Sequence, residues 1–304
     1  YLLIATGLTL ILLAIRQWAS AFFGFFVVVF CLLVLAGPFT AIRMNPNRIG
    51  DATLTVAVLN VLASNHNAQA TIDLLPNADV VGLLETPTSW RTALDEAKQR
   101  WPRQWRDLRD KPTGMTILGG DQIQSAQWFL LTPGAMPAMH MELNVQGISV
   151  HLIIAHTMSP QSPGMLNTRN IQFRQLEDMI EKLDGNLILM GDLNASTWSP
   201  SLQLLMNKTG LRSFRASSGV DGAFMGTWPR WAPAWLRIPI DHCLLRGDIE
   251  PVNQELFLVP GADHLGLYVE LVMGEHATRP KPQQQARRNN SHPIPMFWRH
   301  VNHD

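Results

Sequence analysis

The chain has 304 residues, of which 46% are hydrophobic and 16% charged, and its basic and acidic residues are equal in number at 24 each. This length allows one large domain or two modest ones, and two cysteines, Cys31 and Cys243, exclude an internal disulfide framework. Zero net charge excludes a chain that is basic throughout. Residues 52–273 hold 16 Lys and Arg against 21 Asp and Glu, which disfavours nucleic acid as the partner.

Two uncharged apolar runs open the chain, from Tyr1 to Ile15 and from Trp18 to Gly37. The second run reaches the roughly 20 residues needed to span a bilayer. We therefore expect a transmembrane helical hairpin over residues 1–40, with a buried helical hairpin as the alternative. The chain begins with Tyr rather than Met, so we expect a truncated N-terminus.

Residues 41–53 and 274–304 differ in composition from the part between them. The first segment contains Pro46 and Gly50, which is typical of a linker. The second contains Pro280, Pro282 and a basic, amide-rich run, which cannot form a core. We predict a linker over 41–53 and a disordered basic tail over 274–304.

Residues 54–273 alternate between buried-strand and amphipathic-helix patterns, which predicts an α/β domain with helices covering the sheets. The predicted strands and helices are Leu54–Leu62, Val80–Leu84, Ser89–Arg100 (helix), Ser149–Ala155, Asn167–Leu183 (helix) and Asn186–Met190.

Polar residues that are capable of catalysis recur immediately after, or next to, the apolar runs that predict strands. A carboxylate left inside a sheet is costly unless it is paired, so this placement favours a cleft. Each residue alone is more often a turn former or an exposed edge residue. The candidates are Asn60, Glu85, His156, Asp192, Asn194, Asp241, Asp263 and His264.

The segment Gly191-Asp192-Leu193-Asn194 is the most informative of these. Gly191 permits a tight turn, and Asp192 and Asn194 project to the same side of an extended chain. The alternative is an ordinary Asx turn that caps the next helix.

In order, the motifs are Asn, Glu, His, Gly-Asp-x-Asn, Ile-Asp-His and Asp-His, and over about Leu54 to Met273 they resemble the endonuclease/exonuclease/phosphatase superfamily. The resemblance implies a four-layer α/β sandwich of two packed mixed β-sheets, here preceded by the transmembrane helices. Together with Thr227-Trp228-Pro229, the apolar runs are similar to a bacterial membrane-anchored branch. That implies the bacterial cell membrane, with the domain expected on the extracytoplasmic side.

The resemblance also implies metal-dependent hydrolysis of a phosphate ester. Glu85, Asn60 and Asp263 are the expected ligands of Mg²⁺, with Mn²⁺ as the alternative ion. Asp241 is expected to orient His264 as a general base, and Asp192 to position or deprotonate the attacking water. Asn194 is expected to donate to a phosphate oxygen, and His156 to contact the phosphate or to assist the leaving group. Whether Asp192 or His264 takes the proton stays open at this point.

Departures from the superfamily bear on the substrate. Tyr1 and Tyr268 are the only tyrosines, Leu84 stands where many nucleases of the superfamily have Gln, and Thr157 follows His156 where Leu is common. These differences weigh against DNA repair.

The stretch Trp228–Arg237 mixes tryptophan and arginine, which suits a bilayer headgroup region or a sheet edge. A lipid-linked phosphate is therefore the leading substrate class, and no protein partner is expected. The first alternative is a membrane-tethered nuclease that uses Arg103, Arg106, Arg109 and Lys111, although these residues also fit a solvated helix end and loop. The second alternative is a non-catalytic membrane-tethered binding module.

Overall fold

The protein is described from a computed structural model, which covers residues 2–14, 18–36, 42–43, 52–215 and 226–274. Most of the linker predicted over 41–53 lies outside the described residues, as does the tail from residue 275 onward.

Two helices come first, α1 (Leu2–Ala14) and α2 (Trp18–Ala36). They lie together near Thr9, whose hydroxyl donates a 2.8 Å hydrogen bond to the Ala5 carbonyl and lies next to Gly24. Within the described ranges, no helix combines the length and the apolar character needed to cross a membrane. The predicted transmembrane pair is thus not supported.

Four further helices belong to the domain. They are α3 (Ala68–Leu74), α4 (Arg91–Glu96), α5 (Pro163–Ile180) and α6 (Pro200–Thr209). Within the described ranges, short 3₁₀ turns lie at Thr88–Trp90, Ala97–Gln99 and Ala234–Leu236.

The described part of the chain contains thirteen strands, numbered in chain order. They are β1 (Ile42–Arg43), β2 (Ala52–Asn60), β3 (Val80–Leu84), β4 (Arg103–Asp107), β5 (Met115–Gly119), β6 (Ile123–Leu131), β7 (Met136–Val145), β8 (Ile148–Ala155), β9 (Asn186–Asp192), β10 (Arg212–Arg215), β11 (Asp241–Arg246), β12 (Ile249–Phe257) and β13 (Gly266–Met273).

The strands form two mixed sheets. The six-stranded sheet has the order β12-β13-β2-β3-β5-β4, and β2 and β3 are parallel within it. The seven-stranded sheet has the order β1-β10-β11-β9-β8-β7-β6, and β8 and β9 are parallel within it. The two strands of each parallel pair end at the same edge of their sheet. Several of the predicted site residues lie at or just after those strand ends.

The main core lies between the sheets, because alternate residues of each strand point to the facing sheet. Val56 and Val58 of β2 meet side chains such as Ile154 and Met190 there, and all four are fully buried. Helices α3 and α4 cover the outer face of the six-stranded sheet, and α5 and α6 cover the outer face of the seven-stranded sheet. The predicted arrangement of two packed mixed sheets between helical layers is confirmed.

Some element predictions differ in detail from the structure. The helix predicted over Asn167–Leu183 begins earlier, at Pro163, where Ser162 caps it by accepting a 3.3 Å hydrogen bond from the Met165 N–H. The basic stretch interpreted as a helix end and loop contains the edge strand β4 instead, paired in antiparallel fashion with β5.

Candidate active site

Asn60 and Glu85 come from neighbouring parallel strands of the six-stranded sheet. Asn60 is the last residue of β2 and pairs in register with Leu84, the last residue of β3. Glu85 follows directly, and the Asn60 Nδ2 donates a 2.9 Å hydrogen bond to its Oε1. The carboxylate therefore lies at the sheet edge rather than inside it.

Three residues of the seven-stranded sheet lie at the corresponding edge. His156 follows β8, Asp192 ends β9, and Asp241 begins β11 as the register partner of Asp192. All three side chains are at most 5% exposed. Such deep burial requires that the charges are compensated inside the protein.

Two hydrogen bonds connect the sheets at this edge. The Asn60 Nδ2 donates to Asp192 Oδ2 at 3.1 Å, and His264 Nδ1 lies 2.8 Å from Asp241 Oδ2. His264 lies just before β13, in the loop that leads into the six-stranded sheet. Each sheet thus supplies polar groups that hydrogen-bond to groups of the other sheet.

Asp192 lies at the centre of the cluster. Its Oδ2 is 3.7 Å from His156 Nε2 and 3.8 Å from His264 Nε2, and His156 Nε2 is 3.9 Å from Glu85 Oε1. These separations exceed hydrogen-bond length. They nevertheless show that two carboxylates and two imidazoles face one small volume.

A constrained backbone holds Asp192 in place. Gly191 has φ of 142°, and a Cβ there would come within 1.9 Å of the Ala155 carbonyl oxygen, so only glycine fits. After the turn, the backbone N–H of Asn194 donates to Asp192 Oδ1 at 2.9 Å. Asn194 and Glu85 both have positive φ, 47° and 60°, which is uncommon for side-chain-bearing residues and typical of functional sites.

The pKa values of Asp192 and Asp241 shift in opposite directions. Burial, then the charge of Asp241, raises the pKa of Asp192 to about 6, although His264, His156 and the Asn194 N–H act in the opposite direction. Burial also raises the pKa of Asp241, but the charge and hydrogen bond of His264 outweigh it and lower that pKa overall.

The imidazole of His264 responds to the same carboxylates. Burial lowers its pKa, but Asp241, through its charge and its hydrogen bond, together with Asp192 and Asp263, raises it to about 10. His264 and Asp241 therefore form a buried ion pair at neutral pH.

The donor set fits a hard divalent cation. Carboxylate oxygens of Asp192 and Asp241 lie within 4.8 Å of each other, and the Asn60 Nδ2 joins Asp192 to Glu85. Asp241 Oδ1 is buried and has no hydrogen-bond partner within the described residues, which is costly for a carboxylate oxygen unless a cation or donor is bound. Carboxylate oxygens are the ligands that Mg²⁺ and Mn²⁺ favour.

Asn60, one of the predicted ligands, points its amide nitrogen toward the carboxylates. Its Oδ1 accepts from the Leu62 N–H at 3.1 Å, which fixes the orientation of the amide. In this orientation Asn60 holds Glu85 and Asp192 together as a donor.

The side chains of Asp263 and Asn194 hydrogen-bond to groups other than Glu85, Asp192 and His264. Asp263 Oδ2 accepts a 3.2 Å hydrogen bond from the Trp228 indole, and no hydrogen bond joins it to Glu85 or Asn60 in the described part of the chain. The Asn194 Nδ2 donates to the Thr157 carbonyl at 2.9 Å, which leaves one amide hydrogen for a phosphate oxygen.

Three further residues support the site; the sequence analysis did not name Arg169, and it named Thr227 and Trp228 only as part of a motif. Arg169 of α5 is buried, and its Nη1 donates a 2.5 Å hydrogen bond to the Asn194 carbonyl. The ring of Trp228 lies 6.5 Å from that of His264, and the hydroxyl of Thr227 accepts from the Asp241 N–H at 3.4 Å. Helix α5 also carries Arg174, so the sequence did not single out Arg169.

Comparison with known proteins finds a family match. Residues 57–264 match the Endonuclease/Exonuclease/phosphatase family. A comparison with curated proteins finds no similar sequence.

Among solved structures, D. rerio TDP2 complexed with single-strand DNA product has 16% identity and a TM-score of 0.55, and the match covers 72% of this chain and 98% of that one. Sphingomyelinase C from Streptomyces griseocarneus has 17% identity and a TM-score of 0.51, with 72% and 99% covered. An endonuclease/exonuclease/phosphatase from Beutenbergia cavernae has 16% identity and a TM-score of 0.55, with 73% and 72% covered. At these identities the likeness concerns the fold.

Proposed function

Because the chain belongs to the endonuclease/exonuclease/phosphatase family, whose members are hydrolases that act on phosphate esters, we propose that it is a metal-dependent phosphoesterase. The observation that carries the proposal is the meeting of Glu85, Asp192 and His264 around one buried point at the edge of two sheets. A phosphoryl group needs a cation, a proton acceptor and donors to its oxygens within such a volume.

The cation would be held by Glu85, next to Asp192. Both carboxylates are kept in place by the Asn60 amide, and the Ala63 N–H donates to Glu85 Oε2 at 3.2 Å. When bound, the ion supplies Lewis-acid polarisation of a phosphoryl oxygen.

Asp192 is the group that we assign as proton acceptor from the attacking water. A pKa raised to about 6 leaves it ionised at neutral pH while keeping it close to the working pH, where a general base is most effective. Its Oδ1 is fixed by the Asn194 N–H, so Oδ2 is the atom that faces the reacting volume.

His264 acts in this scheme as a positioned cation. With its pKa raised to about 10, the ring carries a proton on each nitrogen at neutral pH, Nδ1–H to Asp241 and Nε2–H toward Asp192. A buried imidazolium stabilises the negative charge that grows on phosphoryl oxygens. This assignment differs from the expectation that His264 is the base.

His156 lies near the same oxygen of Asp192 as His264 does. Its Nε2 lies between Glu85 Oε1 and Asp192 Oδ2, and its buried Nδ1 has no partner in the described part of the chain. We assign it to phosphate contact or to protonation of the leaving oxygen.

For the substrate, we favour a phosphate ester with a lipid portion. The loop that carries Trp228 beside His264 exposes Trp231 (80%) and Trp235 (54%) to solvent. Exposed tryptophans next to a catalytic site suit the headgroup region of a bilayer. Location at a bacterial membrane is part of the same proposal, and the exposed Phe22 and Phe23 of α2 support it. We propose the outer side of that membrane for the domain.

A nuclease is the second candidate, because D. rerio TDP2 has been solved with a single-strand DNA product. The predicted basic patch supports it less, since its arginines are engaged within the protein. Arg106 pairs with Asp95 at 2.9 Å, Arg109 pairs with Asp107 at 2.6 Å, and Arg103 donates to the Ile123 carbonyl.

The test is a hydrolysis panel with Mg²⁺ or Mn²⁺, comprising a phosphodiester dye, plasmid DNA, sphingomyelin, phosphoinositides and polyprenyl diphosphates. We expect turnover that EDTA and Glu85→Gln abolish, while the exposed control Glu96→Gln keeps full activity. Preference for DNA over every lipid would favour the nuclease, and no turnover of any substrate would favour a binding module. Fractionation of cells, with protease access to the domain, tests the location.

A further inference from the structure

A second group of metal-ligating side chains lies on the outer face of the seven-stranded sheet. His140 and Glu142 are two residues apart in β7 and therefore share a face. His151 of β8 is the register partner of Glu142. The antiparallel hairpin β7–β8 thus brings two imidazoles and one carboxylate to one place without help from any loop.

The distances are those of a ligand set. His140 Nε2 lies 3.1 Å from His151 Nδ1, and one ligand atom from each of the three residues lies within 4.8 Å of the others. Nitrogens bound at about 2.0–2.1 Å to a tetrahedral ion lie about 3.3–3.4 Å apart, so a small shift of either ring would accommodate the ion.

The surroundings of His151 resemble the outer shell of a metal-bound histidine. Its ring hydrogen-bonds to the backbone of Asp184 while Nδ1 faces His140. Ligating histidines ordinarily use their second nitrogen in this way, because the bond fixes both the ring and its tautomer.

The pKa values of both rings are lowered, which favours the neutral form that binds a metal. Burial, then the charge of His151, lowers the pKa of His140, and burial lowers the pKa of His151 despite the opposing charge of Glu142. Neutral imidazoles offer a lone pair to a metal at neutral pH. The nearby charges are mixed, since Arg246 repels a cation whereas Glu142 and Asp184 attract one.

This group is separate from the candidate active site. His151 and His156 are five residues apart along an extended strand, which is about 16 Å. The neighbours Met139, Met141 and Leu152 fill the core between the sheets, so His140 and His151 project to the opposite face. No single ion can touch both groups.

We propose that His140, Glu142 and His151 form a second metal site, specific for Zn²⁺ or a similar transition ion, which fastens β7 to β8. Two imidazoles and one carboxylate favour such ions over Mg²⁺, which prefers oxygen ligands throughout. The proposal is independent of the phosphoesterase assignment.

The experiment measures Zn²⁺ binding to the full chain by calorimetry after chelator treatment, with excess Mg²⁺ present to occupy the oxygen-rich site. We expect one Zn²⁺ per chain, with affinity weakened by at least roughly tenfold in His140→Gln and in His151→Gln. The controls are His66→Gln, an exposed histidine outside the group, and Glu85→Gln, and both should bind Zn²⁺ as the wild type does.

A thermal measurement separates metal binding from a simple hydrogen bond between the rings. Zn²⁺ should raise the unfolding midpoint of the wild type and leave that of His151→Gln unchanged, with both proteins shown by circular dichroism to be folded. Equal Zn²⁺ affinity in the wild type and both histidine variants would overturn the proposal. So would a wild-type midpoint that does not respond to Zn²⁺.

Discussion

His264 Nδ1 lies 2.8 Å from Asp241 Oδ2, and both side chains are buried. The pair raises the pKa of His264 to about 10 and lowers that of Asp241, so proton exchange within it is unfavourable at neutral pH. Asp192, with its pKa raised to about 6, is the group beside it that exchanges a proton most readily. The division of roles between the residues follows from burial and charge.

Replacement of Asp192 by Asn should lower the activity but raise the stability of the protein. The amide keeps the shape but cannot accept a proton, so we expect kcat to fall roughly 100- to 10,000-fold. In EDTA the variant should gain stability on the order of 1–3 kcal/mol, because it removes a buried charge whose pKa is raised. Hydrolysis assays and urea unfolding measure the two effects, and Asp178→Asn on the exposed face of α5 is the control.

The His264 pair predicts a pH-dependent stability in the metal-free protein. A pKa raised from about 6.5 to about 10 on folding gives a contribution that is fully present below pH 6.5 and is lost as the pH rises through 10. The difference in free energy of unfolding between wild type and His264→Gln in EDTA should therefore shrink from pH 7 to pH 10.5. A difference that stays constant or grows over that range would contradict the ion pair.

Gly191→Ala should be severely destabilising. A Cβ would come 1.9 Å from the Ala155 carbonyl oxygen in addition to the unfavourable φ, and we expect a loss of more than about 3 kcal/mol. Gly185→Ala is the matched control, because Gly185 also has positive φ, 84°, but no heavy atom within 4 Å of the added Cβ. It should cost roughly 1–2 kcal/mol in denaturant unfolding.

Arg169→Gln should lower kcat by roughly 10- to 100-fold with little change in KM, since Arg169 positions the Asp192–Asn194 turn through the Asn194 carbonyl. Arg169→Lys should recover part of the rate because it restores a donor and the charge. Arg174→Gln, which is exposed on the same helix, should be unchanged. If both Arg169 variants lost stability but kept kcat, the residue would have a purely structural role.

The lipid preference predicts a substrate-dependent effect of the exposed tryptophans. Trp231→Ser with Trp235→Ser should lower kcat/KM on vesicle substrates by at least about tenfold, or about 1.4 kcal/mol. Turnover of a soluble phosphodiester dye should be unchanged. Leu204→Ser, which removes an exposed apolar side chain from α6, should affect neither. An equal loss on both substrates would show that the loop supports the site rather than the lipid.

The sequence predicted the convergence of the site residues because it depends on strand ends. Asn60, Glu85, His156 and Asp192 each terminate an apolar run, and the register of β2 with β3 and of β8 with β9 brings them to one edge. Alternation and burial patterns are local properties, so they can be read without coordinates.

What could not be predicted depends on contacts between distant parts of the chain. The orientation of the Asn60 amide depends on the Leu62 N–H and on Asp192, 132 residues away. Likewise Asp263 lies against Trp228, and the edge strand β4 forms by pairing with β5 although its own residues, such as Arg103 and Arg106, are polar. Tertiary pairing outweighs local propensity at such positions.

The hydrogen bonds from Asn60 to Asp192 and from His264 to Asp241 cross between the two sheets, and this has a consequence for fragments and for heat inactivation. Neither half of the chain carries all the residues of the candidate active site. A mixture of the two halves should therefore be active only when they reassemble through the core between the sheets. On heating, activity should be lost in the same transition in which the two sheets unfold.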